Sequence, residues 1–130
     1  MKNNINKMGI YLVQPKGKLL KIIYNRNDAD KVKDQSKILK VNEENIKFGQ
    51  SNDLDKRHRE FKEIFGQDVY FKNIIIFNDN KILINFKKNL KKIFRKFCLK
   101  SLSNRRQMEW MENITFKEAE NIILKEYDNG

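Results

Sequence analysis

The chain has 130 residues, a hydrophobic fraction of 39% with nine Phe, and a formal net charge of +11. A domain of this size buries about two-thirds of the surface its unfolded chain exposes, so one core without staples is the expectation, over residues 1–130 as a single domain. The single Cys, Cys98, excludes an internal disulfide and suits a reducing cytoplasm; with His58 as the sole His, it also excludes a zinc finger. No run reaches the roughly 18–20 apolar residues of a membrane span, and residues 1–7 read as a polar leader without the apolar stretch of a signal peptide. The excess of positive charge points to polyanionic partners, because a basic surface releases condensed counterions when it meets a phosphate backbone.

In chain order, Gly9-Ile-Tyr-Leu-Val predicts a strand, and Pro15 and Gly17 punctuate a turn after it. Leu19 to Tyr24 is a second β-rich run that would form a hairpin with the first. Asn27 to Asp34 reads as a short helical turn, and 37–41 and 46–49 as short strands. Asn52 or Asp53 offers a helix cap, Leu54, Phe61 and Phe65 share one helical face, and Gly66 closes the run. Residues 70–77 are β-branched and aromatic, and the central Ile-Ile-Ile predicts burial on both faces. Asp79 caps a long helix expected to reach Lys100. Its apolar stripe is Ile82, Leu83, Phe86, Leu90, Ile93, Phe94 and Phe97; Lys87, Lys88, Lys91, Lys92, Arg95 and Lys96 are assigned to the solvated face. A membrane-surface helix carries the same pattern. Thr115-Phe-Lys-Glu118 is a capping box that opens a last helix. Mixed strands and helices without a linker make the class α+β, a small antiparallel or mixed sheet flanked by helices.

Two segments carry more than fold. Ile46-Lys-Phe-Gly49 is followed by a Ser-Asn-Asp-Leu turn and by Arg57, eight positions after the glycine; upstream stands Gly9-Ile10-Tyr11. Together they resemble the two halves of the signature of the GIY-YIG nuclease superfamily. Met108-Glu109-Trp110-Met111 resembles the Glu-Trp-Phe segment of the branch named after a phage T5 open reading frame, where the second motif reads Lys-Ile-Gly and this chain reads Lys47-Phe48-Gly49. Some 35 residues separate Tyr11 from Lys47, so the resemblance implies an insertion between the two motif strands. Many members carry a His four positions after the Arg, where this chain has Phe61. His58, next to Arg57, does not inherit that role and reads as a helix-surface residue.

The resemblance implies a metal-dependent endonuclease that hydrolyses phosphodiester bonds in DNA. Tyr11 would be the general base, helped by positive charge from Lys47, since a free phenol has a pKa near 10. Arg57 would clamp the phosphate with paired donors, with an ion pair to Asp53 as the alternative role. Glu109 would hold one Mg²⁺ or Mn²⁺, with Glu112 as a neighbouring carboxylate. Trp110 would anchor the last helix, and Asn121 would contact phosphate or water. Lys91, Lys92 and Arg95, with Arg105 and Arg106, would track the phosphate backbone without reading sequence. The competing reading is a catalytically inactive basic module that binds DNA or RNA, as an inhibitor or accessory protein. Either acts as a monomer or a homodimer.

Overall fold

The computed structural model of the chain describes residues 7–16, 21–24, 38–41, 43–100 and 107–129. Strand β1 (Met8–Gln14) is an interior strand of the main sheet, and its alternation explains the layers. Ile10 and Leu12 are fully buried on one face, Tyr11 and Val13 on the other, as the two-residue period of a strand requires. Around it lie β4 (Ile46–Ser51), β5 (Tyr70–Phe77), β6 (Cys98–Lys100) and β7 (Gln107–Met111) in the order β5-β1-β4-β7-β6, every pairing antiparallel. The class is α+β.

Helix α1 (Leu54–Phe65) covers one face, placing Leu54, Phe61 and Phe65 against Tyr11, Val13 and Trp110. Helices α2 (Asn80–Ile93) and α3 (Phe116–Asn129) cover the other, with Leu83, Phe86, Leu90, Ala119 and Ile123 packed on Ile10, Leu12, Ile46, Phe48 and Phe77. The predicted caps form. Asp53 accepts from the Lys56 amide at 3.1 Å, and Asp79 accepts from the amides of Lys81 and Ile82. The amides and side chains of Thr115 and Glu118 bond reciprocally at 2.9 and 3.1 Å.

Four expectations change. The second β-rich run, β2 (Lys21–Tyr24), does not pair with β1; it pairs antiparallel with β3 (Ile38–Val41) in a separate two-stranded sheet. Partner choice depends on long-range contacts, which propensity does not encode. That small sheet falls between β1 and β4, where the resemblance requires an insertion. The helical turn expected over Asn27–Asp34 lies outside the described residues. The Ile-Ile-Ile of β5 is not buried on both faces: β5 is an edge strand, and Ile76 is 50% exposed. The long helix stops at Ile93, passes through a 3₁₀ turn (Arg95–Phe97) and becomes β6 before Lys100. Its stripe is narrower than expected, since Leu83, Phe86, Leu90 and Phe94 are buried while Ile82 is 57% exposed. The stripe is core, and among the described residues no helix is long and apolar enough to cross a membrane.

Leu83→Ala should therefore cost about 2–5 kcal/mol, the range for emptying a close-packed core position. Ile82→Ala should change stability by no more than about 0.5 kcal/mol. Urea denaturation of both variants checks this; equal costs would mean that the helix faces are assigned wrongly.

Candidate functional site

Tyr11 and Gly49 are cross-strand partners in the β1–β4 ladder. The Tyr11 ring lies across the glycine: a Cβ added at Gly49 would stand 2.5 Å from Cζ of Tyr11 and press on its hydroxyl oxygen. Real side-chain carbons do not approach so closely, which is why this strand carries glycine here. Gly9 is equally constrained, because a Cβ there would run into the backbone carbonyl of Ile75 where β1 meets the irregular register of β5. Tyr11 is 2% exposed and held by rings, stacking on Phe71 at 4.9 Å and meeting Phe61 at 5.8 Å. The position four after Arg57, polar in many members of the resembled family, thus supplies an apolar wall to Tyr11. His58 stacks in turn on the same Phe71 at 4.6 Å with planes 8° apart. Burial, and then Lys62, push its imidazole below the ordinary value.

The ladder between β4 and β7 comprises Ile46↔Met111 and Lys47↔Trp110. Glu109 is the next residue outward on β7, where that pairing ends, and it is reached from both faces of the sheet. Lys47, from the α1 face, donates to Oε1 at 2.7 Å; Lys87, from α2 on the opposite face, pairs with Oε2 at 2.5 Å. The Lys47 ammonium also stands 5.9 Å above the Tyr11 ring, and that of Lys87 stands 5.7 Å from the centre of the Phe48 ring.

Electrostatics follow from this packing. For Glu109, burial disfavours the charged form, but Lys47 and Lys87 overcome it and lower its pKa to about 2. For Lys47, burial works against the charge, yet Tyr11 and Glu109 outweigh it and raise the pKa, with Arg57 opposing. For Lys87, burial prevails over Glu109 and lowers the pKa, with Lys47 and Lys91 acting in the same direction.

Arg57 stands one turn into α1. A Ser51 hydroxyl that bonds the Asp53 backbone at both ends sets the turn, and the Asp53 carboxylate is spent on the cap. Arg57 pairs instead with Glu60 at 3.2 Å. Its buried Nε has no hydrogen-bond partner among the described residues. Buried donors are ordinarily satisfied, and this one is an exception.

Tyr11, Lys47, Arg57 and Glu109 thus come together from three strands and a helix. Lys91, Lys92 and Arg95 are exposed, and Lys91 follows Lys87 by one helical turn, so a basic row runs outward from the site. Arg105 and Arg106 lie outside the described residues. Trp110 is a core anchor, but against α1, meeting Phe65 edge-on at 5.6 Å. Glu112 and Asn121 are exposed. Sequence reasoning missed Lys87, which was assigned to solvent. The signal was available, because Lys87 is four residues from Leu83 and three from Leu90, at the edge of the buried arc.

As arranged, these residues do not fit a divalent cation. Both oxygens of Glu109 are taken by ammonium groups, and among the described residues no set of three His, Cys, Asp or Glu side chains is placed to hold a metal. Comparison of the chain with protein-family models, with curated proteins and with solved structures finds no match.

Two outcomes test the geometry. Gly49→Ala should destabilise by about 1–3 kcal/mol through overpacking. Much of that cost should vanish in a Tyr11→Ala background, as a double-mutant cycle would record; full additivity would mean that the ring does not lie over Gly49. Glu109→Gln should cost about 1–3 kcal/mol at pH 7, since two half-buried ammonium groups lose their shared anion. The folded-state pKa is depressed, so this contribution is complete above the ordinary value of 4.5 and lost as pH falls toward about 2. The stability gap between wild type and variant should close over that interval; a pH-independent gap would contradict the ion-pair geometry.

Proposed function

We propose that the chain binds nucleic acid through its basic surface and hydrolyses phosphodiester bonds at the cluster of Tyr11, Lys47 and Arg57, as an endonuclease acting on DNA. The observation that carries the reading is convergence. Residues singled out by resemblance at four separate places in the chain share one site, where Lys47 touches Glu109 and overlies Tyr11. Charge supports it as well: Lys47, Lys87 and Arg57 against Glu109 and Glu60 leave the cluster a net +1, which favours an anion such as the phosphoryl group.

In this reading Arg57 and the ammonium groups neutralise the phosphoryl oxygens, the contribution that preorganised charge makes to such reactions. Tyr11, acting as the phenolate, takes a proton from the attacking water through the oxygen that ends over Gly49, with the Lys47 ammonium above its ring. As the water oxygen bonds to phosphorus the P–O ester bond breaks, and the departing oxygen takes a proton from solvent water. Glu109 holds both lysines in place. The Mg²⁺ or Mn²⁺ that the resemblance implies at Glu109 conflicts with that arrangement, so the chemistry is assigned to the chain's own groups.

The burial of Tyr11 favours one second reading: a module that grips DNA or RNA at the same cluster and turns nothing over. A nicking assay on supercoiled plasmid, run in Mg²⁺, in Mn²⁺ and in EDTA, separates the two. Wild type should cut; Tyr11→Phe and Arg57→Ala should each lose about 10²–10⁴ in rate, the range for a catalytic proton acceptor or a charge-stabilising donor. Tyr11→Phe should retain DNA in gel shifts. No cutting under any condition, with DNA retention intact, would establish the binding module instead.

Lys91→Ala, Lys92→Ala and Arg95→Ala should weaken DNA binding without changing any sequence preference. Each lost phosphate contact should lower the slope of log K against log salt by about 1. Unchanged slopes would remove the basic row from the interface.

A further inference from the structure

A carboxylate that receives a divalent cation needs an oxygen open to it, because Mg²⁺ and Mn²⁺ bind hard oxygen ligands and keep the rest of their shell as water. Glu109 offers neither oxygen: Oε1 accepts from Lys47 at 2.7 Å and Oε2 pairs with Lys87 at 2.5 Å. The Lys87 side chain is 12% exposed, and its ammonium is seated beside the Phe48 ring. A dication entering here would displace an ammonium group from Glu109, its anion among the described residues, and then sit beside the other lysine. The displaced charge would remain in a half-buried setting without a partner, the arrangement that costs most among ion pairs.

We propose that Lys87 is the resident cation of this site: it occupies the oxygen of Glu109 that a divalent metal would take and excludes such an ion. The role is a positioning one, since Lys87 fixes the Glu109 carboxylate that in turn holds Lys47 beside Tyr11. The proposal rests on the nuclease reading for its meaning, and its test is separate.

Mn²⁺ is titrated into the full chain, and the free aquo ion is followed by electron paramagnetic resonance. Wild type and Glu109→Gln should bind Mn²⁺ equally weakly, because Glu109 is closed to it. Lys87→Met keeps the length of the side chain and removes its charge. It should gain one site, tighter by about tenfold or more, that is by at least about 1.4 kcal/mol. That site should disappear again in Lys87→Met/Glu109→Gln, and Lys87→Arg should behave as wild type. A wild-type site that is lost in Glu109→Gln would overturn the proposal, as would a folded Lys87→Met with no gain in affinity. Should Lys87→Met not fold by circular dichroism, the comparison of wild type with Glu109→Gln decides alone. A negative Mn²⁺ result leaves the plasmid assay untouched, and a wild type that cuts nothing leaves the Mn²⁺ result untouched.

Discussion

One carboxylate between two ammonium groups organises this molecule's polar interior. Glu109 lies where the pairing of β4 with β7 ends, and it joins Lys47 on one face of the sheet to Lys87 on the other. Each partner alone would be poorly placed. A buried lysine tends to lose its proton, and a buried carboxylate tends to keep one. The two lysines hold Glu109 ionised, and Tyr11 with Glu109 raises the pKa of Lys47 despite its burial, whereas at Lys87 burial prevails. The two faces of the sheet are thereby tied through a polar contact as well as through their separate apolar cores.

That contact depends on how the strands are packed. Tyr11 can lie flat across β4 only because Gly49 has no side chain, and the ring then stands beneath the Lys47 ammonium. Arg57 follows from the same strand: β4 runs out at Ser51, the Ser51 hydroxyl turns the backbone, and the Asp53 cap starts α1 with Arg57 in its first turns. The glycine, the cap and the arginine therefore belong to one continuous device, in which the spacing of eight residues is the length of a strand end, a turn and one helical turn.

Much of this was legible in the sequence because it is local. Caps, the face of α1, the capping box before α3 and the strand β4 are set within a few residues, where propensity and periodicity act. What was not legible is long-range. Whether β2 pairs with β1 or β3 depends on segments far apart in the chain, and the exposure of Ile76 depends on β5 falling at the sheet edge. The end of α2 was overestimated because the apolar period continues through Phe97 while the backbone has already turned into β6. Lys87 is the instructive miss. At about 100° per residue it falls roughly 20° beyond Phe94, at the edge of the buried arc, whereas Ile82 falls roughly 40° beyond the opposite edge at Phe86. Residue chemistry was given precedence over angle, and angle prevailed because an anion waited on the facing strand.

Tyr11 is enclosed by Phe71 and Phe61, with His58 stacked beyond Phe71, so the phenol is anchored by rings and only its hydroxyl end meets polar groups. Around that end the charges do not cancel: three cations face two anions, Glu109 and Glu60, and Nε of Arg57 is buried without an acceptor among the described residues. In a medium of reduced dielectric such an excess is costly unless an anion neutralises it. A phosphate group would relieve the repulsion between Lys47 and Arg57 and satisfy the orphaned donor in one step, whereas a further cation would deepen both penalties. In the proposed function, the basic row that begins at Lys87 and continues with Lys91 along α2 would extend the same preference outward, toward a ligand that carries many phosphates in sequence.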